Sequence, residues 1–343
     1  MSDTKQNASR RALKWDMSAW WIRPAVQLGF AVFSILLCME FRGFIISLHD
    51  GGSTAQPRPA AVDAYLPISS LLSLTYYFKT GIANDVRPAG LVIFSLTIIL
   101  AFAVRRGFCS WVCPIGTAAE YAHKTGRFIF GGTITPPSWI DWPLRSLKYL
   151  LLGFFLYSIL LMPVEGLHGF IHGPYNRIAD IKMYFFFRHI SLTAYVVLAV
   201  LGVFSLLIKN FWCRYLCPYG AFLGLFSAIS PVAVRRDQGA CVGCGACAKA
   251  CPNRIAVDRK KSVRSALCTA CLSCIHACKV TGTLEIGTAR KKFRLSPACY
   301  ALITVLAFLV AAQVAQSFGY WHSSTTPELY RMLYGSLSQI SHP

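Results

Sequence analysis

The chain has 343 residues, of which 55% are hydrophobic and only 14% are charged, and its mean hydropathy is +0.48. Soluble domains average about 25% charged residues, so this composition argues against a soluble enzyme and indicates a membrane protein. The net charge of +20 would suit nucleic-acid binding only alongside a known nucleic-acid-binding pattern, and no such pattern accompanies it.

Five apolar segments are predicted to cross the membrane. Each could span most or all of about 30 Å of hydrocarbon. In chain order they are 25–47, 88–104, 146–163, 190–208 and 297–318. Cys38 and Cys299 lie in two of these spans and are expected to be buried thiols.

The distribution of Lys and Arg predicts the orientation of these spans. Segments 1–24, 105–145 and 209–296, together with Lys148, hold 26 of the 34 basic residues. The positive-inside rule therefore predicts a cytoplasmic N-terminus and a C-terminus on the outer side. An odd number of spans agrees with ends on opposite sides. The spans are expected to contact membrane lipid.

An internal repeat follows the second and fourth spans. One ends in Cys109-x3-Cys113-Pro114 and the other in Cys213-x3-Cys217-Pro218. Each repeat unit contains a span, an outer loop with a short apolar piece (66–78 or 178–188), a second span and this motif. Parallel repeats about an axis along the membrane normal would bring the four cysteines together at the inner face.

The chemistry of these four cysteines stays open at this point. On a helix, cysteines at i and i+4 share a face, so each pair could present two sulfur atoms in one direction. A shared four-thiolate metal site is favoured, with a third iron–sulfur cluster as its occupant. The alternatives are a redox-active dithiol or disulfide, and free thiols at a helix end.

Eight further cysteines lie between the fourth and fifth spans, in two runs with the spacing of bacterial ferredoxins. This spacing predicts two 4Fe–4S clusters, because three thiolates of a run bind one cluster while the fourth binds the other. The first cluster is assigned to Cys241, Cys244, Cys247 and Cys278, and the second to Cys268, Cys271, Cys274 and Cys251. A structural zinc site would need two pairs of ligands rather than three evenly spaced cysteines repeated twice.

The predicted fold is an all-α polytopic membrane protein with a parallel internal repeat and an inserted ferredoxin-like α+β module. Its parts are a cytoplasmic basic N-terminus (1–24), a four-span membrane domain (25–230), a cytoplasmic ferredoxin-like domain (231–290), and a fifth span with an outer tail (291–343). His168 and His172 are four residues apart, but a glycine-rich stretch favours an ordinary interfacial loop over ligation of a metal or haem.

The paired Cys-x3-Cys-Pro motifs, followed by the double ferredoxin-type run, resemble the membrane polyferredoxins of the NosR/NapH type over about residues 65–285. The resemblance implies an electron carrier rather than a stand-alone enzyme. Such a carrier relays electrons between the quinone pool or a cytoplasmic donor and a partner redox enzyme, which is expected on the periplasmic side.

A second function stays open. The chain could be an assembly or maturation factor that reduces copper or a disulfide for another enzyme, as CcoG-type polyferredoxins are thought to act on copper. Paired cysteines at span ends suit thiol or Cu(I) chemistry as well as cluster ligation.

Overall fold

The structure is a computed structural model, and it describes residues 21–49, 56–288, 294–337 and 339–340. The segment 1–20, the Asp50–Ala55 stretch and the end of the outer tail lie outside the described residues. The described chain is mainly helical. Its helices are α1 (Ile22–His49), α2 (Pro67–Thr80), α3 (Pro88–Val104), α4 (Phe108–Trp111), α5 (Pro114–Phe130), α6 (Ser138–Leu160), α7 (Val164–His172), α8 (Pro174–Arg177), α9 (Ala179–Arg188), α10 (Leu192–Leu207), α11 (Pro218–Ala228), α12 (Ala246–Ala250), α13 (Ser273–His276), α14 (Pro297–Ser317) and α15 (Pro327–Gly335).

A helix lies at each of the five positions that were predicted as spans. Three of them, α1, α6 and α14, are long and apolar enough to cross a membrane by themselves. Helix α3 is apolar but has only 17 residues, and α9 and α10 pass the same test only as a pair that is bent by 83°. Cys38 and Cys299 were expected to be buried, but both are exposed, because they lie on faces of α1 and α14 that pack against no other described part of the chain.

A four-stranded antiparallel sheet forms the base of the ferredoxin segment. Its strands are β1 (Val232–Arg236), β2 (Ser262–Val263), β3 (Leu284–Thr288) and β4 (Arg294–Leu295), in the order β2-β1-β3-β4. Val234 pairs with Val263 on one side and with Ile286 on the other. These three side chains are buried. The two cysteine runs occupy the connections between these strands, so the sheet supports both of them.

The described residues divide into two compact units. Unit 1 contains the described residues of 1–31, 97–152 and 201–306, and unit 2 contains those of 32–96, 153–200 and 307–343. The boundaries fall within α1, α3, α6, α10 and α14, so each of these helices contributes to both units. All twelve motif cysteines lie in unit 1.

Unit 2 contains an ion network that the sequence did not predict. The guanidinium groups of Arg58 and Arg87 each contact the carboxylates of both Asp63 and Asp180, and all four side chains are buried. Burial alone would raise the pKa of Asp180, but the two arginines hold it at about 2. Removing one partner from such a network leaves a buried charge uncompensated. The network therefore stabilises the contact between segments that are distant in sequence.

The glycine-rich stretch of unit 2 forms a helix, although a loop was expected. Within α7 the rings of His168 and His172 stack with their centroids 4.2 Å apart. His172 Nε2 lies 3.0 Å from Asp85 Oδ1, which gives this histidine a carboxylate partner.

Candidate metal centres

The two ferredoxin-type runs share an unusual backbone conformation. In the first run Gly243 and Gly245 have positive φ angles of 68° and 69°. The matching positions of the second run, Ala270 and Leu272, also have positive φ, at 48° and 59°, although they carry side chains. Non-glycine residues adopt this conformation at a cost, so the surroundings must enforce it. Alternating left-handed residues form concave nests of backbone N–H groups, which bind anionic groups such as iron–sulfur clusters.

The second cysteine set surrounds one cavity. Cys268, Cys271 and Cys274 of the second run line a cavity together with Cys251 of the first run. Burial, together with the neighbouring thiols of Cys271 and Cys268, raises the pKa of Cys251 to about 11. The four cysteines that the spacing assigned to one cluster therefore lie around one space, and the donor set of this space fits a 4Fe–4S cluster.

The first cysteine set lies nearer the surface. Cys244 is exposed and Cys241 half-exposed, whereas Cys247 is buried. Backbone N–H groups near Gly243, and then Arg236, lower the pKa of Cys241. Burial raises the pKa of Cys247, and Cys278 of the second run is one of the groups that raise it further. Cys278 of the second run therefore lies within electrostatic reach of Cys247 in the first.

The two Cys-x3-Cys-Pro motifs also come together. Burial, together with the thiol of Cys217 in the other motif, raises the pKa of Cys109 to about 12 and that of Cys113 to about 11. Burial raises the pKa of Cys213 in the same way, and Cys109 and Cys113 add to this effect. These mutual effects place the four half-buried thiols within electrostatic reach of one another.

The cysteines of each motif were expected to share one helix face, but they do not. Cys109 lies in α4, but Cys113 has extended backbone angles and precedes α5. Cys213 lies in a π-helical turn, and Cys217 is extended before α11. Proline explains the break, because the ring of Pro114 or Pro218 disfavours helical angles at the residue before it. A Cβ at Gly116 would lie 2.1 Å from the Cys109 carbonyl oxygen, so only glycine fits this close approach.

No three Cys, His, Asp or Glu side chains converge on a single metal ion anywhere in the described ranges. A cubane cluster does not require such convergence, because each of its four thiolates binds a different iron atom. The described cysteine sets fit a cluster that is surrounded by its ligands, rather than a mononuclear metal site.

The side chains of the two residues after the first cysteine of each motif hold the motif against another segment of the chain, a role that was not predicted from the sequence. In the second motif, Arg214 and Tyr215 both donate hydrogen bonds to the carboxylate of Asp141 in α6. In the first motif, Ser110 and Trp111 donate to backbone carbonyls of the ferredoxin segment instead. The available signal was that both motifs carry a polar residue and then an aromatic one at these positions.

Side chains of the first motif donate hydrogen bonds to the loop that carries Cys268 and Cys271 of the second ferredoxin set. Four of its side chains donate hydrogen bonds to carbonyl oxygens of residues 265–270. The pairs are Arg105 to Ser265 (2.8 Å), Arg106 to Leu267 (2.9 Å), Ser110 to Thr269 (2.7 Å) and Trp111 to Ala270 (3.1 Å). The Trp111 ring also packs against the ring of Tyr300 at an angle of 37°, with centroids 5.2 Å apart. The loop that carries Cys268 and the turn that carries Cys109 are therefore held against each other.

Comparisons with known families and proteins agree with these sites. Residues 86–133 and 190–237 each match the family described as a 4Fe-4S binding domain, and residues 233–279 match the family described as a 4Fe-4S dicluster domain. Each of the first two matches contains one Cys-x3-Cys-Pro motif, and the third contains the double run. No solved structure matches the chain.

Several curated proteins are similar over long stretches. The chain is 37% identical to the putative electron transport protein YccM of Escherichia coli over 96% of this chain and 93% of that protein. It is 25% identical to the ferredoxin-type protein NapH of Escherichia coli over 81% of this chain and 94% of that protein. The methylamine utilization ferredoxin-type protein MauN of Methylobacillus flagellatus is 30% identical over 55% of this chain and 60% of its own length. The predicted resemblance is confirmed: the chain belongs to the NapH-type family of 4Fe–4S ferredoxin-type electron-transport proteins, together with YccM and MauN.

Proposed function

We propose that this chain is a multi-pass membrane protein that relays electrons through three 4Fe–4S clusters. Two are held by the ferredoxin segment, with Cys241, Cys244, Cys247 and Cys278 on one and Cys268, Cys271, Cys274 and Cys251 on the other. The third is held by Cys109, Cys113, Cys213 and Cys217. The clusters supply the one-electron chemistry when bound, and the chain holds their ligands and sets their surroundings.

One observation carries this proposal. The loop with Cys268 and Cys271 is bound by four hydrogen bonds to the turn that contains Cys109. A relay needs neighbouring redox centres at a fixed separation, whereas an independent storage site does not. The exposed position of Cys244 supports the first ferredoxin set as the place where an external partner exchanges electrons.

Charge supports the kind of partner. Residues 231–296 contain 13 Lys/Arg and only 3 Asp/Glu. Two oxidised clusters of about −2 each offset only part of this excess. The remainder favours an acidic partner protein or anionic lipid headgroups.

We propose five spans, with α3 and α10 as the short members of the set. In this arrangement the N-terminus and the ferredoxin segment face the cytoplasm of a bacterial inner membrane, and the C-terminus lies outside. Two separate stretches of the chain match the same family, which supports the parallel repeat. The Lys/Arg distribution supports the orientation. All the proposed clusters then lie on the cytoplasmic side, so electrons reach the outer side through a diffusing quinone or a partner subunit.

Stopped-flow reoxidation tests the relay. The protein is reduced without oxygen, freed of reductant, and mixed either with a quinone or with Cu(II). We expect the visible absorption that was bleached by reduction to return rapidly on mixing with the quinone. The return should be slower in a Cys109→Ser/Cys213→Ser variant that lacks the third site. Reoxidation by Cu(II) but not by quinones would instead identify the metal-reducing maturation factor.

A further inference from the structure

Three buried cations beside the paired motifs, Arg105, Arg106 and Lys148, have no anionic partner in the described residues, and two of them, Arg106 and Lys148, act on the thiols of the motifs. Arg106 and Lys148 are 3% and 0% exposed, and neither forms an ion pair within the described ranges. The Arg106 Nε and the Lys148 Nζ also lack a hydrogen-bond partner there. Lys148 Nζ has a ring contact with Tyr149, at 5.2 Å from the centroid. Burying an uncompensated charge is costly, so these groups indicate an anion that the protein atoms do not supply.

Arg106 and Lys148 lie near Cys109 of the first motif and Cys217 of the second. Arg106 Nη1 donates a hydrogen bond to the Gly220 carbonyl, and the Gly220 N–H in turn donates to Cys217 Sγ at 3.2 Å. Arg106 and Lys148 both act electrostatically on the thiols of Cys109 and Cys217, after the larger effect of burial. Arg106 is therefore linked to Cys217 through Gly220, and Lys148 lies within electrostatic reach of the same two thiols.

The nearby carboxylates already form ion pairs with other basic residues. The described residues of unit 1 contain 19 Lys/Arg but only five Asp/Glu. Asp141 pairs with Arg214 and Arg145, Glu120 with Arg23 and Lys124, and Glu285 with Arg294. The motifs 105–116 and 209–220 contain no Asp or Glu at all. Four neutral thiols or a disulfide would leave Arg106 and Lys148 without compensation, but four thiolates on an iron–sulfur cluster carry a net charge of about −2.

We infer that Arg106 and Lys148 are the charge-compensating residues of the third cluster, and that they raise its reduction potential. This inference rests on the proposed third site. The two side chains act through the field that they impose on the cluster, without binding iron. Reduction adds a negative charge, so a buried cation beside the ligands stabilises the reduced form. Arg106 has a second task, since it also holds the Leu267 carbonyl of the ferredoxin loop. Lys148 is the cleaner residue to test for this reason.

The test is an EPR-monitored redox titration with an iron count on the full-length protein. The third cluster is identified as the signal that is missing from Cys109→Ser/Cys213→Ser. In Lys148→Met we expect about twelve irons to remain and the reduced-to-oxidised ratio at a given potential to fall about tenfold, which is about 59 mV for a one-electron couple. Lys148→Arg should restore most of the potential. Lys182→Met is the matched control, because Lys182 is a cation over a tyrosine ring in unit 2.

The outcomes separate the two claims. Loss of about four irons in Lys148→Met with retention in Lys148→Arg would also support the charge requirement. An unchanged potential in Lys148→Met with full iron would overturn the inference and leave the third cluster in place. Equal loss of iron in the Met and Arg variants would overturn it too, because shape rather than charge would then be required. About eight irons in the unsubstituted protein would refute the third cluster itself.

Discussion

Substitution of Asp141 tests how the second motif is held in place. Arg214 is 1% exposed, and its guanidinium donates to Asp141 at 2.8 to 3.1 Å through two nitrogen atoms. Asp141→Ala leaves this buried guanidinium without its carboxylate, which costs about 3–5 kcal/mol. One kcal/mol corresponds to about 2–4 °C in domains of 150–250 residues. The melting temperature should therefore fall by at least about 6 °C.

The double variant Asp141→Ala/Arg214→Met provides the sharper comparison. Removing both charges together leaves no unpaired ion, so the double variant should be more stable than the sum of the two single losses, by about 2 kcal/mol. Arg145→Met is the matched control. Arg145 pairs with the same carboxylate, but its side chain is 23% exposed, so its loss should cost about 1 kcal/mol or less.

Thermal unfolding in detergent gives the stabilities, and the iron content reports on the motif. We expect about four irons to be lost in Asp141→Ala, because the turn that carries Cys213 loses its anchor. Strictly additive losses in the double variant, or Asp141→Ala with unchanged melting temperature and iron, would refute this reasoning.

Three further predictions concern other parts of the chain. Gly116→Ala should lose about four irons, because its Cβ would lie 2.1 Å from the Cys109 carbonyl oxygen, whereas Gly132→Ala has open space and should lose none; equal iron in the two variants would contradict the close approach. Asp180 has a folded pKa of about 2 against an ordinary value of 3.8, so it contributes about 2 kcal/mol of stability that is fully present above pH ~4 and lost as the pH falls towards 2. Asp180→Asn should flatten the stability of unit 2 over that pH window, and an unchanged pH profile would argue against the role of the ion network. Cys251→Ser should alter the same EPR signal that changes when Cys268, Cys271 or Cys274 is replaced by serine. A change in the other ferredoxin signal instead would mean that Cys251 binds the cluster of its own run.

Local patterns predicted much of this fold. Apolar length located the five helices, because a helix that crosses lipid must be long and uncharged. Cysteine spacing indicated the two ferredoxin sets, because thiolate geometry around a cluster limits the spacing of its ligands. The sharing of one cavity by Cys251 and three cysteines of the second run follows the same logic.

Other features depend on contacts that local patterns do not encode. Helical periodicity suggested one face for Cys109 and Cys113, but Pro114 breaks the helix between them. Asp141 and Arg214 are 73 positions apart, and neither has a local signature as a partner of the other. Lys148 was informative in the sequence only as a positive charge at the foot of a span. Its burial beside two cysteine motifs results from the packing of α6, which no periodicity reveals.

The iron and acid-labile sulfide content per chain tests the central claim most directly. The measurement uses anaerobically purified full-length protein, with Cys109→Ser/Cys213→Ser as its partner sample. Three clusters predict about twelve irons, falling to about eight in the variant, with the two ferredoxin signals retained in EPR. About eight irons in both samples would contradict the account, since the four motif cysteines would then hold no cluster.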